Sequence, residues 1–259
     1  MARSRLLDQM RETLRLHHYS IRTEEAYLQW AKRFILFHNK RHPGEMGEKE
    51  ISAYLTHLAA NKHVSASTQN QALSAILFLY KRVLHMKLDW LEDVVRAKRP
   101  RKLPVVLTKQ EVISVLDTMN GTNALIARLL YGTGMRLTEG LRLRVKDVDF
   151  TRKEIIVRSG KGDKDRVTTL PEILIPQLEQ QLEQVKRVHQ ADLVEGYGRV
   201  YLPFALDRKY PNAGIQIGWQ YFFPSGHRST DPRSGKVARH HLHEKNVGRS
   251  IRNAARRVG

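Results

Sequence analysis

The segment Gly132-Thr-Gly-Met-Arg136-Leu-Thr-Glu139 sets a glycine turn between two runs of helical spacing and opens the second on an arginine, with a glutamate one turn later. Upstream of it, Thr108-Lys-Gln-Glu111 has the form of a capping box, and an apolar helix is predicted from Ala124 to Tyr131. Downstream, helical spacing resumes over Arg136 to Val145. A guanidinium in this place can hold two non-bridging oxygens of a phosphate, with the glutamate fixing it from behind. Taken alone, the same residues also make an ordinary surface Arg–Glu pair on a helix.

Further along, Glu154 to Arg158 and Val167 to Leu170 read as strands joined across the turn Gly160-Lys161-Gly162-Asp163. A lysine at a turn tip can neutralise phosphate, or act as a general acid if neighbouring positive charge lowers its pKa. Gly, Lys and Asp are also common turn residues with no further role. Pro171 opens another helix, through Leu178, Leu182 and Val185. Residues 191 to 225 then crowd eight of the chain's nineteen aromatic residues together with Gly and Pro. The tail from Gly226 is basic and closes on a helical segment, Glu244 to Val258.

Upstream, residues 5 to about 90 carry apolar residues at helical spacing throughout: Tyr27, Trp30, Phe34 and Phe37, then Ile51, Tyr54, Leu55 and Leu58, then Leu73, Ile76, Leu77, Tyr80 and Leu84. Stops fall near Arg41-His42-Pro43-Gly44 and between Asn61 and Ser65, and Ser65 or Ser67 can cap the third run. This predicts a compact helical bundle. Between Asp93 and Pro104 the apolar pattern gives way to a basic linker containing Arg99, Arg101 and Lys102, which reads either as a solvated hinge or as a strand tracking a phosphate backbone.

The whole chain of 259 residues carries 45 Lys and Arg against 26 Asp and Glu, a formal charge of +19. Such a field attracts polyanions, nucleic acid being the commonest, and excludes an ordinary acidic enzyme. With no Cys there is no disulfide, thiolate metal site or cysteine nucleophile. Neither a signal peptide nor a membrane span is visible, so a soluble cytoplasmic protein is expected, with no membrane partner. His227, His240, His241 and His243 match no common zinc spacing, so no metal is expected.

The Arg136 motif followed by the Lys161 turn resembles the catalytic domain of the tyrosine site-specific recombinases. The amino-terminal Tyr19-Ser-x-x-Thr23-x-x-x-Tyr27-x-x-Trp30 resembles that family's core-binding domain. The resemblance spans essentially the whole chain. It implies a mainly α fold with a small antiparallel sheet: a helical, SAM-like core-binding domain over 1–92, a linker over 93–104, and an α+β catalytic domain, incomplete at its carboxy terminus, over 105–259. Arg136 is then the first catalytic arginine, Glu139 its partner and Lys161 the lysine of the β-hairpin. Lys164, Arg166 and Arg239 are expected on DNA with the linker cations. The reaction implied is strand cleavage and religation through a phosphotyrosine, without cofactor, by a homotetramer on DNA in a full-length form.

The segment Asp192-Leu-x-x-Gly-x-Gly-x-Val-x-Leu-Pro203-x-Ala-Leu-x-Arg-Lys-Tyr-Pro211-Asn, followed by Trp219-Gln-Tyr-x-Phe-Pro224-Ser, resembles the insertion of integron integrases. That implies a gene-cassette site folded as a single-stranded hairpin, its extrahelical bases held by the insertion. Unpaired bases are read by stacking on aromatic rings, at about 1 to 3 kcal/mol each. Trp219, and Pro232 with His240 and His241 on the next loop, are the expected pocket. The alternative is that these aromatics form the insertion's own small core, which is the reading preferred for Tyr221, Phe222 and Phe223. The family pattern is broken in one place. No His-x-x-Arg follows Lys161 and no Tyr follows Tyr221, while His38-x-x-Arg41 stands in the amino-terminal bundle. The nucleophile and second arginine are thus expected to be missing, leaving a chain inactive alone. The alternatives are a non-catalytic DNA-binding truncation and a phage-type recombinase acting on duplex DNA.

Overall fold

A computed structural model describes residues 5–86, 103, 105–158, 164–202, 206–232 and 234–259. Arg99, Arg101, Lys102 and Lys161 lie outside the described residues, as does the turn expected at 160–163. The chain divides into two compact units, 1–104 and 105–259.

The first unit is helical: α1 (Arg5–Leu16), α2 (Ile21–Phe37), α3 (Glu48–Thr56) and α4 (Ala66–Phe78). Serine caps start two of them: Ser20 accepts from the Thr23 amide at 3.1 Å, and Ser65 from the Thr68 amide at 3.3 Å. Trp30, Phe34, Ile51, Tyr54, Ile76 and Tyr80 form a core shared by α2, α3 and α4, while α1 buries Met10 and Leu14 against Ala31, Phe78 and Leu79. The Tyr19, Ser20 and Tyr27 pattern is structural: both rings pack edge-on against Phe78, with centroids 5.5 and 5.8 Å away. His38 and Arg41 are structural as well, since the His38 ring meets the Glu50 carbonyl at 3.0 Å and Arg41 donates to the Glu50 carboxylate at 3.0 Å.

Both α3 and α4 run on into a wider turn, His57–Asn61 and Leu79–Val83, closed by i→i+5 bonds from Lys62 to His57 and from Leu84 to Leu79, the first ending at the stop expected from Asn61. A left-handed histidine then ends each, His63 at φ 47° and His85 at φ 53°.

The second unit packs α5 (Lys109–Asp117), α6 (Gly121–Thr133), α7 (Leu137–Leu141), α8 (Ile175–Val194), the single turn α9 (Leu206–Lys209) and α10 (Glu244–Val258) with a three-stranded antiparallel sheet, β1 (Val148–Asp149), β2 (Glu154–Val157) and β3 (Arg166–Thr169). Register is set by Ile155 opposite Thr168 and Val157 opposite Arg166, which turns Ile155 and Val157 into the core. Ile126, Leu129, Leu141, Leu170, Leu178 and Val247 complete that core. A hairpin of β4 (Pro224–Thr230) and β5 (Val237–His241) stands apart from the sheet. No described helix is long and apolar enough to cross a membrane.

Three expectations change here. Helix α7 stops at Leu141 rather than reaching Val145, because residues 143–145 pair their backbone with 220–222: Phe222 donates to the Leu143 carbonyl at 2.8 Å and Val145 to the Gln220 carbonyl at 3.0 Å. Phe222 and Phe223 belong to the main core, not to a core of the insertion, which has its own small cluster in Val200, Leu202 and Ala213. His240 and His241 lie on strand β5 rather than on a loop.

Candidate functional site

Helix α6 ends on Gly134, whose φ of 65° lies in the left-handed region that glycine adopts without a Cβ penalty. Gly132 has a different reason, since a Cβ there would sit 2.8 Å from Pro171 Cγ. The reversal delivers Arg136 to the N-cap of α7, with Glu139 at the third helical position.

Glu139 is buried and saturated. Its carboxylate accepts from the Arg136 amide at 2.8 Å and from Arg136 Nη1 at 2.8 Å. It also accepts a bidentate fork from Arg166 on β3, Nη1 at 3.1 Å and Nη2 at 2.7 Å. Those bonds, Arg166 first, hold its pKa down at about 2 against the opposition of burial. Of the two arginines, Arg136 is the more open, its side chain 56% exposed, and one Nη engages the carboxylate. Thr168 Oγ1 donates to the Thr133 carbonyl at 3.2 Å, so β3 grips the reversal at a second point. The geometry is a cation fork facing solvent, backed by a closed ion triad, suited to binding a tetrahedral oxyanion.

The aromatic segment makes a second cluster. Trp219 is half-buried, with Lys146 Nζ 2.8 Å from its ring centroid. Burial first, then the neighbouring Arg158, lowers the Lys146 pKa to about 8. A cavity of about 430 Å³ is lined by Tyr210, Trp219, Lys209, Asn212 and Gln216, and Lys209 stands 5.3 Å from the Tyr210 ring centroid. Buried Arg144 ties the segment down, donating to the Trp219 carbonyl at 2.6 Å and the Tyr201 carbonyl at 2.9 Å while lying 4.4 Å over the Tyr221 ring. Tyr221 in turn meets His240 at 5.1 Å and His241 at 5.4 Å. Desolvation, then the charges of His241, Arg142 and Arg144, lowers the His240 pKa to about 4, so the ring is neutral at pH 7.

Trp219, His240 and His241 are thus joined through Arg144 and Tyr221. Pro232 is not with them. His241 pairs with Pro224 at the base of the β4–β5 hairpin, and Pro232 sits past Thr230 at its tip, four strand residues or roughly 13 Å along. Arg239, expected on DNA, turns inward, donating Nε and Nη2 to Asp192 at 2.6 and 2.7 Å with its side chain 17% exposed. Arg166 is likewise engaged by Glu139, whereas Lys164 is exposed. Sequence reasoning missed Arg144 and Lys146. Their signal was their place in Arg142-x-Arg144-x-Lys146-Asp147, directly after the Arg136 helix. Among the described residues no cluster of metal-ligating side chains occurs.

Residues 6–90 match the family model described as phage integrase, N-terminal SAM-like domain, and residues 105–257 match that of the phage integrase family. An integrase/recombinase of Escherichia coli is 49% identical over 255 residues, covering 98% of this chain and 76% of its own. The tyrosine recombinase XerA of Thermococcus kodakarensis is 30% identical over 190 residues, 71% of this chain and 60% of its own. Among solved structures, the Tn1549 transposon integrase in complex with transposon right end DNA aligns at a TM-score of 0.53 and 16% identity, over 85% of this chain and 71% of that one. XerH bound to difH in a pre-cleavage complex aligns at 0.51 and 17%, over 100% and 70%.

Proposed function

The chain belongs to the phage integrase family, the tyrosine recombinases, and on that premise we propose that it binds the folded single-stranded hairpin sites of integron gene cassettes and uses Arg136 and Lys161 as cations for the scissile phosphate. The assignment of 1–92 to core binding, 93–104 to a linker and 105–259 to the catalytic domain is part of this proposal. Tyr221, the last tyrosine of the sequence, is 6% exposed, packed under Arg144, and its pKa is raised by burial. It is therefore no candidate nucleophile. The phosphotyrosine step of the family needs a tyrosine other than this one.

Helix α10 supports a DNA partner. Lys245, Arg249, Arg252 and Arg256 recur at steps of four, three and four residues and are all exposed, while Val247 and Ala254 bury the opposite side. A row of cations at helical rise suits phosphates along a backbone.

The observation that carries the hairpin reading is the cavity between Tyr210 and Trp219, each ring under a lysine, in a segment with its own small core. It has the aromatic faces and the positive charge that an unpaired base requires. Replacing Trp219 with Ala tests it by gel shift: hairpin affinity is expected to fall about 5- to 150-fold, the loss of one stacked base, with duplex affinity little changed. Equal losses on both would assign Trp219 to packing.

A further inference from the structure

We propose that Arg166 is a positioning residue: by taking both oxygens of Glu139 it keeps the Arg136 fork open to a phosphate. The inference rests on the reading of Arg136 as a phosphate ligand. A carboxylate has about four acceptor sites. Here Arg136 fills two, through its amide and one Nη, and Arg166 fills two with a bidentate fork. Glu139 has no site left, so Arg136 is held at a single guanidinium corner and keeps its remaining N–H groups, with the side chain more than half exposed.

Charge supports the same conclusion. An isolated Arg136–Glu139 pair is neutral, and a buried glutamate with free lone pairs would draw in the second nitrogen of Arg136. Adding Arg166 makes the triad +1 and ends that competition. Arg166 sits in the middle of this arrangement without presenting its own fork. Its Nη1 and Nη2 both point at Glu139, and β3 holds it there through the Val157–Arg166 pairing and the Thr168–Thr133 hydrogen bond. Direct DNA contact, the role its sequence position indicates, is left to Nε and the two outer Nη hydrogens, and the cycle below separates that contact from positioning.

The test is a double-mutant cycle on this chain, read by fluorescence anisotropy with a labelled duplex across a salt series. Arg136→Met is expected to weaken binding and reduce the salt slope by about 1. Arg166→Met should do the same, and the double variant should lose no more than either single one. Adding Glu139→Gln to Arg166→Met should restore most of the affinity, because a neutral amide no longer captures Arg136. Arg166→Lys, which keeps the charge and loses the fork, should fall between. Thermal unfolding of each variant separates loss of fold from loss of position, and the Glu139→Gln rescue is a response that a purely structural role does not give. Additive losses of Arg136→Met and Arg166→Met, or no rescue, would overturn the proposal in favour of direct contact. Unchanged affinity in Arg136→Met would remove the phosphate role itself, and the proposal with it.

Discussion

Two guanidinia lean on one buried carboxylate at Glu139, so removing that carboxylate should be felt in stability as well as binding. Glu139→Ala is expected to destabilise by about 2 kcal/mol in urea unfolding, the low side for a broken buried pair because both arginines reach solvent. The same carboxylate sets an acid limit. With its pKa near 2 instead of the ordinary 4.5, its contribution is fully present above pH 4.5 and is lost as pH falls through 2. His240 acts in a higher window. Its pKa near 4 lies below the ordinary 6.5, so the folded state resists protonation and stability falls as pH drops from 6.5 to 4. His240→Gln should flatten that part of the curve and leave the acid limb below it unchanged; an unaltered profile would remove His240 as the cause. At this scale the sequence showed Arg136 and Glu139 together because helix geometry links them locally. It did not separate paired from open cations. The partners of Arg166 and Arg239 are Glu139 and Asp192, distant in sequence and brought near only by the fold.

Helix α10 shows how one element divides two duties between its faces. Val247→Ala on the buried side should cost about 2 kcal/mol of stability with DNA binding retained by the folded fraction. Replacing Arg249, Arg252 and Arg256 with Gln should leave unfolding nearly unchanged and reduce the salt slope of binding by about 2 to 3. If the triple variant binds with an undiminished slope, this face does not meet phosphate. Helices such as this were legible from sequence because caps and periodicity are local signals: Thr108 and Glu111 form the capping box expected of them, at 2.7 and 3.3 Å. The wide turns at His57–Asn61 and Leu79–Val83 were not, since the preference of histidine for a positive φ is too weak a signal to mark them. The two end alike, a histidine followed by an apolar residue, His63-Val64 and His85-Met86, whose amides reach back to Leu58 and Tyr80. The β4–β5 hairpin was hidden for another reason: its strands are largely polar and exposed, so neither alternation nor a short Asn-Gly or Asp-Gly turn marked it.

For the whole molecule, the net charge of +19 makes binding to any polyanion strongly dependent on salt, so affinity alone says little about specificity. What distinguishes a hairpin reader from a general DNA binder is the aromatic segment that Arg144 fastens to the catalytic unit and that keeps Trp219 beside an open cavity. A helical first part and a mixed second part could be read from the pattern of runs, whereas the fold class came from the resemblance of the Arg136 and Lys161 motifs. Trp219, His240 and His241 were expected together from the resemblance, but the Arg144 and Tyr221 that join them were not, because that linkage comes with the pairing of residues 143–145 with 220–222. The most direct measurement is the ratio of affinities, at one fixed salt concentration, for a hairpin with extrahelical bases and a duplex of the same sequence. A clear preference for the hairpin, abolished when the extrahelical bases are deleted, is the expected result. Equal affinity for the two would contradict the integron reading and leave a recombinase-family protein that binds duplex DNA.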